Sequence, residues 1–325
     1  MRIPFTRRDN YWIALFSMLG FLFSVTQLYG ESPDYSNYDI YFDLVRSQGL
    51  NMLQDSRFEP GFTIGAAIFT ALFASNVVVY STFVAAALLL KGWAIRAYSA
   101  SIAIFIVVAV FYTARFFPFH ELTQLRVAVA IGILLVSAVL IWRGKNVFGL
   151  LWAFLAVLFH MSSVSVIPFL FIQPRRRWHV VLSGLVTFVG VYSAAGFVTV
   201  QLAKYISVFT MYQSAGFGEN SPNPLSAVLL LDWAMIVFAM AMWNRLSLVM
   251  KRVLLLQVIG MAIFYGSLDF PVIAHRIREM FSVFWVLFLV DGLRCGIIKI
   301  PTAGFTCVSI VLFSYFYIFS GSFFL

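Results

Sequence analysis

Charge is scarce in this chain. Asp, Glu, Lys and Arg make up 11% of its 325 residues, where about a quarter is usual in soluble domains. That excludes an ordinary water-soluble fold. Cysteine is nearly absent. Cys295 and Cys307 lie in or beside late apolar segments and match no metal or redox spacing, which excludes a disulfide framework and a thiolate metal site. The sequence also lacks a P-loop, a G-x-S-x-G elbow, an H-E-x-x-H pair and a D-x-D pair of the kind that holds a metal with a nucleotide sugar. No metal or other cofactor is expected. Repeats, low-complexity tracts and linkers are missing. What fills the chain is hydrocarbon: 62% of residues are hydrophobic, in long runs from Tyr11 to Phe324. The expectation is an all-α, polytopic transmembrane helix bundle, one integral membrane domain over 1–325. The net charge, 22 − 13 = +9, is then read as cytoplasmic loop charge that sets topology, with no nucleic-acid partner.

The apolar runs predict about eleven spans: 11–29, 76–95, 98–114, 122–142, 147–160, 161–172, 179–197, 225–243, 253–270, 275–292 and 300–319. The first, Tyr11 to Tyr29, is about 28 Å of helix. It is longer than a signal h-region and no A-x-A site follows, so it reads as an uncleaved span. Residues 147–172 read either as one long tilted helix or as two arms breaking at "FHMSS". The stretch 60–74 is short and reads as re-entrant or interfacial, within an outer loop over 30–75. A second outer loop spans 198–224, with Lys204, Tyr205 and Tyr212 on a Gly- and Pro-rich, lid-like stretch.

With the amino terminus cytoplasmic, 15 of the 22 basic residues fall inside, in clusters such as Arg143–Lys145, Arg175–Arg177 and Lys91–Arg96. The other 7 face outward: Arg46, Arg57, Arg115, Arg126, Lys204, Arg276 and Arg278. That satisfies the positive-inside rule. Ten of 13 carboxylates and three of four histidines also fall outside. Chemistry, if present, belongs on that face.

Four stretches there carry polar side chains at membrane depth. In "FHELTQLRVAVAIG" a helix from Leu122 would align Thr123 with Arg126, with His120 and Gln124 one position round. Arg126 then either snorkels to the interface or lines a cavity together with Arg115, His120, Glu121 and Gln124. In "DFPVIAHRIREMF", His275, Arg278 and Glu279 share a face and Arg276 reaches Glu279. The plain reading is an interfacial salt-bridge cluster; two arginines at an outer helix end argue for a ligand. In "LFHMSSVSVIP", His160 precedes serines able to satisfy backbone groups freed by a helix break, and an ionisable residue at that depth is a functional candidate. In the first outer loop, Tyr35, Asp39 and Asp43 recur at helical spacing beside Tyr38 and Tyr41. This mixture suits sugar hydroxyls and apolar sugar faces, or an aromatic belt. Glu59 directly precedes Pro60-Gly61, a fixed turn at re-entry. Asp232 is a polar intramembrane residue with no evident mechanism.

Taken in order, "DYSNYDIYFD", "FEPGF", "LRVAVAIGILL", "FHMSSVSVIPFLF" and "HRIREMF" resemble the EpsG family of Wzy-type bacterial polysaccharide polymerases over most of residues 34–285. The chain departs from the family at Val127, where glutamine usually follows the arginine, and at His275, where alanine commonly precedes it. The resemblance implies a GT-C-like membrane glycosyltransferase of the bacterial cytoplasmic membrane. It would join undecaprenyl-diphosphate-linked oligosaccharide repeat units on the outer face, with a flippase and a chain-length regulator as partners. A diphosphate leaving group calls for fixed cations, and arginine stays charged and grips phosphate oxygens in pairs. Arg126 and Arg276 are placed for this, with Arg278 and Arg115 as helpers. Glu59, His160 and Asp39 are the candidate bases. His120, Gln124, His275, Tyr38 and Asp43 complete the expected substrate contacts. Two other classes fit the same residues: a transporter or flippase for a lipid-linked sugar or another anion, and a non-catalytic membrane assembly protein.

Overall fold

The structure, a computed structural model, describes residues 7–26, 34–55, 58–197 and 223–319. Within them every regular element is helical. The longer helices are α1 (Arg7–Val25), α2 (Tyr35–Gln48), α3 (Pro60–Leu72), α4 (Asn76–Tyr98), α5 (Ile102–Arg115), α6 (Leu125–Trp142), α7 (Asn146–Phe159), α8 (Arg177–Phe197), α9 (Ala227–Ala241), α10 (Leu248–Gly266), α11 (Pro271–Ser282), α12 (Trp285–Arg294) and α13 (Lys299–Phe319). The chain is a membrane protein, and four of its described helices are long and apolar enough to cross a bilayer: Asn76–Tyr98, Leu125–Trp142, Arg177–Ala195 and Leu248–Gly266. Six shorter apolar helices accompany them.

The expected boundaries need several corrections. Residues 161–172 hold a 3-10 turn, Met161–Ser165, and a single helical turn, Ile167–Leu170, so this stretch is no span of its own. The break at "FHMSS" is present. His160 is extended (φ −159°, ψ 116°), and Ser163 and Ser165 hydroxyls take the Ala156 and Ser162 carbonyls. The run 275–292 is interrupted between α11 and α12. There the Ser282 hydroxyl bonds the Glu279 carbonyl, a contact that competes with the helical ladder. Helix α6 starts at Leu125 with Gln124 as its N-cap. Thr123 therefore does not share a face with Arg126; its hydroxyl bonds the Pro118 carbonyl at 3.2 Å. The second outer loop, with Lys204, Tyr205 and Tyr212, lies almost wholly outside the described residues.

The chain folds as two compact units, one formed by residues Met1–Ile167 and Leu289–Leu325, the other by Pro168–Phe288. In the first, α4 packs between α1 and α6, α6 packs on α7, and α13 lies against α5. Helix α6 is buried along nearly all its length. The first turn of α3 meets the last turn of α7 at Gly61, where an added Cβ would come within 2.8 Å of the Leu158 carbonyl oxygen. A side chain there would separate the two helix ends. Glycine thus brings Glu59 to His160. In the second unit α10 packs between α8 and α11, and the Gln257 amide bonds the Phe281 carbonyl at 2.7 Å.

One charge assignment changes. Lys91 was counted with the inner cluster, but its side chain is fully buried and ion-paired to the equally buried Glu121.

Candidate active site

Three helix ends of the first unit converge on Glu59. The residue is extended (φ −65°, ψ 149°) ahead of Pro60 at the first position of α3. Proline suits that position because its missing N–H would be unsatisfied there anyway. One carboxylate oxygen, Oε2, receives Arg126 Nη1 from the first turn of α6 at 2.5 Å. The other, Oε1, lies 3.0 Å from His160 Nδ1 at the end of α7 and 3.3 Å from the Met161 backbone N–H. The carboxylate is largely shielded, with 15% of its side chain exposed.

Aromatic rings wall the group. The Arg126 guanidinium lies 4.5 Å from the Phe58 ring centroid, a cation–π contact. Phe58 in turn touches Tyr41 and Tyr38, at 4.1 and 6.0 Å between ring centroids. Tyr38 is buried beside them, and the Tyr41 hydroxyl bonds Thr63 at 2.6 Å.

Burial alone would raise the Glu59 carboxyl above its ordinary 4.5. The His160 hydrogen bond and the Arg126 charge outweigh it and hold the carboxyl at about 2. The sign of the linkage follows. A depressed folded-state value contributes stability that is fully present above about pH 4.5 and is lost as pH falls toward about 2. The difference in thermal midpoint between the native chain and Glu59→Gln is therefore expected to be constant above pH 4.5 and to shrink below it. A difference that does not shrink there would refute the carboxylate reading.

Three buried polar atoms on this group lack hydrogen-bond partners among the described residues: Arg126 Nε, Gln124 Oε1 and His160 Nε2. Buried polar atoms are normally satisfied, so these mark where a ligand or water would bind. A carboxylate only accepts, so His160 Nδ1 donates to Glu59; in the neutral imidazole the lone pair is then on Nε2.

The other expected site residues are distributed differently. Asp39 and Asp43 both accept from Asn76 Nδ2, at 2.8 and 2.9 Å, and Asp43 pairs with Arg46. These carboxylates clamp α2 to the start of α4, a role for Asn76 that the sequence did not suggest. Arg115 is buried, its guanidinium 5.1 Å from the Phe116 ring and 5.2 Å from that of Phe313. His120 stacks on Phe116, and neither ring nitrogen has a hydrogen-bond partner among the described residues. In the second unit Arg278 is ion-paired to the buried Asp232, which gives that lone acid its partner. A single carboxylate in an apolar helix is itself the signal that a cation must be found for it. His275 packs its ring on Phe264 at 5.5 Å. Arg276, half-buried, has no ion pair or hydrogen bond among the described residues.

The arrangement of Glu59, Arg126 and His160 is matched by a likeness over the whole chain. The EpsG family profile matches residues 11–324. The chain belongs to the EpsG family. No curated protein and no solved structure matches it. The match covers both units of this EpsG-family chain, so Arg126 and Arg276 both fall within it. The described residues contain no group of three or more His, Cys, Asp or Glu side chains placed to hold a metal ion.

Proposed function

We propose that this EpsG-family protein polymerises lipid-linked oligosaccharide repeat units on the outer face of the bacterial cytoplasmic membrane. The growing chain on undecaprenyl diphosphate is the donor and a single repeat unit on the same lipid is the acceptor. The observation that carries the reading is the Glu59-centred pairing of a fixed cation with an oriented imidazole. Arg126 supplies the charge that a departing diphosphate needs, within an aromatic, largely dry wall where such a charge acts strongly. His160, oriented by Glu59, takes the acceptor proton on Nε2. The acceptor oxygen forms its bond to the anomeric carbon as the carbon–oxygen bond to the diphosphate breaks, and the electron pair leaves with the diphosphate. The carboxyl of Glu59, held at about 2, is a weak base and serves better as the group that orients His160 and holds Arg126. Asp39, engaged with Asn76, is the least suited of the three candidate bases. Arg276, in the second unit, is a separate candidate for binding phosphate.

The reading is tested by reconstituting the purified protein with a lipid-linked repeat unit. Longer oligomers on the lipid are the expected product; movement of the lipid across the bilayer without oligomers would favour the transporter class. Cysteine placed at Ser36 is expected to react with an impermeant thiol reagent from outside, and cysteine at Asn146 is not. Outside labelling at Asn146 would reverse the topology.

A further inference from the structure

Behind the site lies a second polar cluster in the same unit, which the proposed chemistry does not use. Glu121 is fully buried between α4 and α5. Its carboxylate takes an ion pair from Lys91 of α4 and a hydrogen bond from the Tyr112 hydroxyl of α5, 2.8 Å from each oxygen. Its backbone carbonyl accepts from the Tyr80 hydroxyl of α4 at 3.0 Å. The carboxylate and the carbonyl of this residue are therefore held from two helices.

Two routes lead from this cluster to Arg126. One is the chain itself. Glu121 begins the short turn to Gln124, the N-cap of α6, and Arg126 is the second residue of that helix. The other is through rings. Tyr80 packs edge-on against Tyr38 at 5.7 Å between centroids, Tyr38 stacks on Phe58 at 6.0 Å, and the Arg126 guanidinium lies over the Phe58 ring at 4.5 Å. We infer that Glu121, gripped by Lys91, Tyr112 and Tyr80, positions Arg126: it fixes the first turn of α6 and, through Tyr80, Tyr38 and Phe58, the place of the guanidinium. The role in turnover rests on the glycosyl-transfer reading; the positioning does not.

Burying a full ion pair is costly and often no more stabilising than apolar packing. Its return here is a fixed address for one side chain. A guanidinium displaced by about 1 Å loses much of its effect on a developing charge.

Tyr80→Phe isolates the linkage, because it keeps the ring on Tyr38 and deletes the hydroxyl on Glu121. Hydrogen exchange of the native chain in nanodiscs gives a readout that needs no substrate. Tyr80→Phe is expected to speed exchange over residues 122–128 about tenfold and to leave α13 unchanged. In the polymerisation assay it should lower kcat about tenfold with KM within threefold. Combined with Arg126→Lys it should add little, while its effect should multiply with that of Arg276→Lys. Lys91→Met is expected to lower yield by stranding a buried carboxylate. Lys91→Met with Glu121→Gln removes both charges and should recover folding, which separates collapse of the unit from loss of position. Native exchange over 122–128 in Tyr80→Phe overturns the inference, as does a full multiplicative loss with Arg126→Lys. If the unaltered protein makes no polymer, the glycosyl-transfer reading falls and the exchange result still decides the positioning.

Discussion

Arg126→Lys is expected to lower the initial rate of polymer formation by roughly a hundred- to thousandfold, with normal membrane insertion. Lysine keeps the charge and reaches the same depth, so a residue that merely anchors the helix at the interface would tolerate it. It loses the planar fork that meets Glu59, the Phe58 ring and an incoming phosphate together. Removing one donor of that kind typically costs about 3–4 kcal/mol. Arg126→Ala should be at least as impaired. Arg276→Lys and Arg276→Ala are expected to follow the same pattern, and Arg175→Lys is not. Near-native ladders from Arg126→Lys and Arg126→Ala at matched expression would return Arg126 to the role of an interface anchor.

The second large effect is expected at the dyad. Glu59→Gln and His160→Gln should each reduce turnover by roughly a hundred- to ten-thousandfold, the usual worth of an oriented acid–base group. Binding of the lipid substrate should change little. Because one residue acts through the other, the double variant should be hardly worse than either single one. The pattern distinguishes the roles. An inactive Glu59→Gln beside an active His160→Gln would make Glu59 the base. The opposite pattern would leave His160 as base without need of its carboxylate. Normal activity in both would remove the dyad from the chemistry.

The outline of this site was legible from the chain because each residue broke a local rule. Glu59 stood before a proline and a glycine; His160 and Arg126 stood inside runs that had no need of them. Their meeting was not legible. Glu59 and His160 are 101 residues apart, and only the glycine-permitted contact of α3 with α7 brings them together. Periodicity found the helices but placed the start of α6 too early, since Thr123 and Gln124 are as compatible with a turn as with a helix. Hydropathy counted 161–172 as a span because serine weighs little in an apolar window, although serine is what satisfies the broken backbone there. Lys91 was misassigned for a related reason. Charge counting treats every lysine near a helix end as solvated, and nothing local to residue 91 reveals a carboxylate 30 residues away.

That misassigned lysine bears on how the protein is made. Lys91 is the sixteenth residue of a 23-residue helix, and a lone ammonium costs up to about 2.5–3.5 kcal/mol at insertion, the value at the helix centre. Glu121, which neutralises it, is synthesised only after α5 has emerged. At roughly 5–20 residues per second the ribosome delivers the intervening 30 residues in a few seconds. Until then α4 is an incomplete membrane element. The α4–α5 hairpin together with the following turn is accordingly the shortest stretch of this chain in which the Lys91 charge is neutralised.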